Sequence, residues 1–199
     1  DIYQGDEGVS LQYDAATGQN IDNTATVHLP SYSLINNVIA RHKNAGLKIE
    51  AMPDTAVDVI HNTIVSATHT SGIGVEVLTG TVRLTNTIIA SHTVGISNTV
   101  GTVSENYSLF AGNGANIAGT VATGTNSLYV TDPGFTDPSQ NNYRLVETSP
   151  AVNAAINAGV SEDRDRKSRP IGAGYDIGAY EFGDSNSIYF PLIMKASSS

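Results

Sequence analysis

"NNVIA" at residues 36–40, "NTIVS" at 62–66 and "NTIIA" at 86–90 are three versions of one short pattern. Each reads Asn, any residue, two β-branched apolar residues, then a small one. The Asn-to-Asn offsets are 62 − 36 = 26 and 86 − 62 = 24, and weaker copies, "NYSLF" at 106–110 and "NSLYV" at 126–130, follow at steps of 20. The rest of each unit keeps phase. Gly46, Gly72 and Gly95 come ten, ten and nine residues after those Asn and open the segments "GLKI", "GIGVEV" and "GIS". A third segment precedes the next Asn: "AVDVI" at 56–60, "TVRLT" at 81–85 and "TVSE" at 102–105. Each unit therefore holds about three short β segments punctuated by Gly, Asn, Thr and Ser, and no helical period competes with them.

Units of 20 to 26 residues without a helix-length segment predict an all-β fold, a right-handed parallel β-helix of about five coils over residues 1–130. Each strand then pairs with its equivalent one turn on, roughly 4.8 Å away, and equivalent residues stack into ladders. This alignment puts Val57, Val82 and Val103 in one inward ladder and Ile64 beside Ile88 in another. Asn36, Asn62 and Asn86 form an Asn ladder at one corner, where an amide bonds its neighbours and tolerates left-handed backbone. A β-sandwich is disfavoured because the motif recurs at near-constant phase. His42, His69 and His92 lie six, seven and six residues after their Asn. A row of imidazoles is metal-ligand chemistry, but Lys or Thr and then small residues follow each His, which marks a solvated turn position. Asp58 and Arg83, outward in "VDV" and "VRL", read as a cross-strand ion pair worth a few tenths of a kcal/mol.

Composition narrows the partners. A chain of 199 residues fits one domain with a modest appendage, and 40% hydrophobic with 15% charged residues argues against disorder. Ten basic against 19 acidic residues, a net charge of −9, is the wrong sign for binding nucleic acid or anionic lipid. There is no Cys for a disulfide or thiolate metal site and no Trp to serve as a sugar platform. No apolar run approaches the roughly 20 residues that span a bilayer. Asp1 in place of Met points to a processed product or an excised fragment.

From about residue 131 the repeat gives way to "DPGFTDPSQNNYRLVETSPAVNAAINAGVSEDRDRKSRPIGAGYDIGAYEF". The run resembles the closing segment of secreted bacterial right-handed β-helix proteins, the choice-of-anchor Q or pectate-lyase-like repeat family. The matching residues are Asp132-Pro133, Phe135, Asp137-Pro138, Tyr143-Arg144-Leu145, Ser149-Pro150-Ala151, Arg169-Pro170 and Asp176 to Glu181. Asn153 stands where that pattern usually has Asp. The resemblance implies a β-helix and a secreted or cell-surface setting, but no reaction, because such folds host lyases, hydrolases, adhesins and inert stalks alike.

Physical reasoning assigns this segment, 131–183, a capping role. A solenoid's last coil exposes an apolar cross-section and an unpaired edge, which Phe135, Tyr143, Leu145, Ile177 and Tyr180 would cover. Asp176 would accept backbone N–H bonds in a turn, and Glu181 would pair with Arg144 or Arg169. In "SEDRDRK" at 161–167, Glu162, Asp163 and Asp165 have a spacing compatible with Ca²⁺ ligands. The interleaved Arg164, Arg166 and Lys167 favour a solvated charged loop, leaving Asp163 and Asp165 as weak metal candidates and Ca²⁺ as the only cofactor considered.

A polysaccharide hydrolase needs two carboxylates facing one groove, and a lyase needs acids for Ca²⁺ plus a base. Glu50, Asp54, Asp58, Glu76 and Glu105 do not collect on one face of the predicted coils, so no catalytic residue is assigned. The tail at 184–199 carries "IYFPLIM", which reads as an edge strand because of Pro191. Ile188, Tyr189, Phe190, Leu192 and Ile193 are its candidates for self-association. The expected function is structural: a homo-oligomer or filament joined head to tail through coil ends and the tail strand. The alternative is a module that binds or processes a cell-surface glycan.

Overall fold

The structure is a computed structural model and describes residues 2–14, 19–21, 31–51, 55–66 and 72–183. The chain opens with β1 (Ile2–Asp14) and β2 (Gln19–Ile21), then β3 (Ser31–Ile35), β4 (Val38–Glu50), β5 (Ala56–Ile60), β6 (Thr63–Val65), β7 (Ile73–Thr79), β8 (Thr81–Thr85) and β9 (Ile88–Ala90). It continues with β10 (Val94–Asn98), β11 (Thr102–Asn106), β12 (Leu109–Ala111), β13 (Ala115–Ala118), β14 (Val121–Thr123) and β15 (Leu128–Val130). These strands wind as a parallel β-solenoid of about four turns, slightly fewer than the five coils the repeats suggest. The weak sequence copy at 126–130 contributes only the partial turn that ends at β15.

Three parallel ladders make the walls. The first is β3-β5-β8-β11-β14. The second stacks the start of β4 on β6, β9, β12 and β15, and the third stacks the end of β4 on β7, β10 and β13. The first wall alternates inward apolar with outward polar residues, as a half-solvated sheet should. Tyr32, Val57, Val82, Val103 and Val121 occupy successive rungs of one inward column. Outward from this wall, Arg83 meets Asp58 at 3.3 Å.

Register corrects three of the expected ladders. Val38 pairs with Thr63 and Thr63 with Ile88, a constant step of 25 in place of 26 and 24. Ile64 therefore faces Ile89, not Ile88. At the first corner, Asn36 is followed not by Asn62 but by His61, then Asn86 and Tyr107, with φ of 57°, 53°, 54° and 51°. The position demands left-handed backbone, which Asn adopts cheaply and His tolerates, so matching Asn to Asn slipped the middle turn by one residue. Asn62 belongs to the next rung, where its Oδ1 accepts from the N–H of Asn37 at 2.9 Å and its Nδ2 donates to the carbonyl of Leu34 at 2.7 Å. Likewise Ala45 pairs with Ile73 and Ile73 with Val94, which aligns Gly46 with Gly74 and Gly95, not with Gly72.

The segment after β15 does not sit over the end of the coil stack, as a cap would. It forms an antiparallel hairpin of β16 (Phe135–Asp137) and β17 (Asn142–Leu145) around a 3-10 turn at Pro138–Gln140, then runs as turns and isolated bridges to residue 183. Tyr143, Leu145, Ala151, Ile177, Ala179 and Tyr180 pack on the outer face of the second wall, against Val38, Ala40, Val65, Ile88, Ala90, Leu109 and Ala111. Those wall residues span the first to the last complete turn, so the segment is a lateral clasp along the solenoid. Its docking is fixed by the first corner. The Asn86 amide donates to the carbonyl of Ile156 at 2.7 Å and accepts its N–H at 3.1 Å, and Asn36 donates to the carbonyl of Glu162 at 2.7 Å. Gly178 touches the wall directly: its φ is 102°, and a Cβ there would lie 2.7 Å from Ile88 Cδ1.

Candidate functional site

The two acids of "GAGYDIGAYEF" are structural receptors for the clasp's own backbone. Asp176 accepts the N–H of Asn153 at 2.7 Å and of Phe182 at 2.6 Å. Glu181 accepts from Arg169 at 2.6 Å and from the N–H groups of Asp176 at 3.0 Å and Ile171 at 2.8 Å. Arg169 and Glu181 side chains are both 0% exposed, and Arg169 also reaches the carbonyl of Gly178 and the Asn36 amide. Burial pushes the Asp176 and Glu181 carboxyls upward, while the backbone donors and Arg169 pull them back. Arg144, the other expected partner of Glu181, instead holds Asp165 by two bonds of 2.7 Å and lies over the Tyr180 ring.

Asp163 corrects the expectation of a solvated loop. It is buried, and its oxygens accept the N–H groups of Lys167 and Glu181, both at 2.8 Å. Asp165 is held by Arg144. Among the described residues, no group of three or more His, Cys, Asp or Glu side chains gathers where it would hold a metal ion.

The described histidines, His42, His61 and His92, are not on the surface either. His42 and His92 are buried inside the second corner with Nε2 atoms 3.0 Å apart and rings within 14° of parallel. As neutral imidazoles, one Nε2–H donates to the other Nε2. They occupy a furrow left by the glycine ladder: a Cβ on Gly46 would meet His42 Cε1 at 2.8 Å, and one on Gly74 would meet His92 Nδ1 at 3.2 Å. His69 lies outside the described residues. His61, also fully buried, receives the Asn86 amide at 2.9 Å. Burial lowers His42 to about 4 and His92 to about 3, the latter helped by His42's charge. Burial, then the charge of Arg169, lowers His61 to about 3.

These shifts have a sign. An unfolded His titrates near 6.5, so below that pH the unfolded chain takes up protons that the folded chain refuses, and stability falls as pH drops from about 6.5 toward 4. The raised Asp176 and Glu181 act in the opposite direction, so one histidine must be isolated. Replacing His61 with Asn, the residue that occupies the same rung in the neighbouring turns, is expected to preserve the fold. It should flatten the stability-pH curve by up to about 1.4 kcal/mol per pH unit between about pH 6.5 and 4. Urea titrations of both proteins across that range check this, and parallel curves would refute it.

A cleft of about 620 Å³ separates the hairpin from the second corner. One wall is a corner ladder, Arg41, Ser66, Ser91 and Gly112; the other includes Asp132, Phe135, Ser139 and Tyr143. Arg41 holds a left-handed backbone, φ 62°, at the rung where later turns place Ser91 and Gly112. Asp132 is the only carboxylate among these lining residues, whereas glycoside hydrolysis uses a converging pair. The cleft therefore presents hydrogen-bonding groups, a cation and aromatic edges.

The solenoid's end is the remaining surface. Among the described residues, β13, β14 and β15 each have a strand neighbour on one side only. The inward columns finish there with Ile117 and Val121 half-buried and Tyr129 54% exposed, its ring stacked on Phe110. At the opposite end of the first wall, β3 pairs among the described residues only with β5, and Tyr32 and Leu34 are partly buried against the core. No protein-family model, curated protein or solved structure matches the chain. Of the expected self-association residues, Ile188, Tyr189, Phe190, Leu192 and Ile193 lie outside the described residues. The edge-rung positions Leu34 and Val121 were missed, although the first wall's apolar alternation could have pointed to them.

Proposed function

We propose that the chain is a structural β-solenoid module that associates end to end with further copies of itself, in a secreted or cell-surface setting. The observation supporting this is that the clasp runs along the side and that, among the described residues, no strand pairs on the outer edge of β3 or β14. β14 and β3 are the two edges of one parallel ladder. A translation along the axis lays one copy's β14 beside the next copy's β3 with the polarity of every internal pair. Val121 would then meet Tyr32, and Thr123 would meet Leu34, extending columns that are already in register. Such a contact is heterologous and propagates unless rotation closes it. No helix among the described residues is long and apolar enough to cross a membrane.

An inward charge on a terminal rung blocks edge pairing. Val121→Lys closes one end and Leu34→Lys the other, so each alone is expected to be monomeric. Mixed, their intact ends should join as a one-to-one dimer in sedimentation analysis. Monomers in the mixture would reject this arrangement.

The cleft favours a second reading, a saccharide-binding module. Phe135 and Tyr143 meet edge-to-face beside Arg41 and the serine hydroxyls. Glycan titration followed by calorimetry tests it, with Arg41→Ala expected to abolish any heat.

A further inference from the structure

The second inward column of the first wall changes character near its end. Leu34, Val59, Leu84, Glu105 and Thr123 occupy successive rungs, so a carboxylate stands where the three preceding turns place Leu or Val. Glu105 is 2% exposed and points into the solenoid one rung below the edge strand β14. Ser127 Oγ donates to Oε2 at 2.5 Å, and Oε1 is buried with no hydrogen-bond partner. A buried acceptor without a partner is costly, and packing alone does not call for an acid at this rung.

We propose that Glu105 is a protonation gate on end-to-end association: the ionised carboxylate disfavours docking of a second copy on β14, and the neutral acid permits it. The inference rests on the end-to-end reading above. Docking would add another copy's Leu34 beyond Thr123 and bury the carboxylate more deeply, which penalises the charged form more than the neutral one. Association then takes up a proton and strengthens as pH falls through the Glu105 titration. Burial already moves that titration upward, against the pull of the Ser127 hydroxyl and the neighbouring Gly124 and Ser108 dipoles.

The groups facing Glu105 are Leu84 of β8, Thr123 of β14, Ser108, Ser127 and Tyr129 of β15. Of these only Tyr129 titrates, and burial and the Glu105 charge push it above its usual range, so it stays neutral in this window. The gate is therefore assigned to one side chain.

Sedimentation equilibrium of the full chain at about pH 7 and about pH 5 tests it, alongside Glu105→Gln and Glu105→Leu. The wild type is expected to associate up to about tenfold more tightly at the lower pH, the limit set by a pKa rise of about one unit on docking. Both variants should associate tightly and equally at the two pH values. A wild type whose association ignores pH overturns the gate, and so does a Glu105→Gln protein that keeps the wild-type dependence; in both cases end-to-end docking survives. Monomers throughout, including the Val121→Lys and Leu34→Lys mixture, overturn the docking and the gate together.

Discussion

Glu181→Ala is expected to destabilise the protein by about 3–5 kcal/mol, the usual cost of breaking a buried ion pair from one side. The substitution leaves the Arg169 guanidinium without its 2.6 Å partner in a site where both side chains are 0% exposed. It also strips acceptors from the N–H groups of Ile171 and Asp176. Those groups hold the loop that presents Ile177, Gly178 and Ala179 to the second wall, so the clasp loosens along its length. Glu181→Gln keeps an oxygen for the backbone donors and should cost less. Urea denaturation measures both, and a loss below about 1 kcal/mol for Glu181→Ala would refute the clasp's dependence on this pair.

Phe110→Ala should cost a similar amount, about 3–5 kcal/mol, by a different route. Phe110 is 1% exposed and follows Ile39, Ile64 and Ile89 in the inward column of the second wall. It fills the end of the furrow bordered by Gly95, whose notional Cβ would lie 3.3 Å from its ring. Alanine leaves a void that backbone ladders on both sides cannot collapse into. Tyr129→Ala, one rung further on, removes a ring that is 54% exposed and should cost much less. Equal losses for the two variants would mean that the column does not end where the structure places its end.

Much of this was legible in the residues. Gly, Asn and β-branched punctuation at near-constant phase specifies a parallel solenoid, and "VDV" beside "VRL" specifies the Asp58–Arg83 pair. Two features were hidden for physical reasons. The first corner requires a backbone conformation, not a residue type, so His61 stood in for Asn and shifted the apparent phase. The clasp's position was written in the opening motif itself. "VIA", "TIV", "IIA" and "LFA" are apolar at nearly every position, and each strand is buried throughout. A wall with one face in water alternates; a wall apolar throughout needs cover on both faces. Glu105 was within reach of the sequence, since aligning "TVSE" with "TVRLT" sets it on the inward rung of Leu84; the histidine pair was obscure because the furrow that receives it is made by glycines elsewhere in the turn.

The open ends carry the central claim, and particle mass tests it most directly. Light scattering across a dilution series at about pH 5, nearer than pH 7 to the range in which a carboxyl raised by burial takes up its proton, should show wild-type mass rising with concentration into rod-like particles. Val121→Lys and Leu34→Lys should each stay at the monomer mass, and their mixture should reach twice it. A wild type that remains monomeric at every concentration, with no complex in the mixture, would contradict the account.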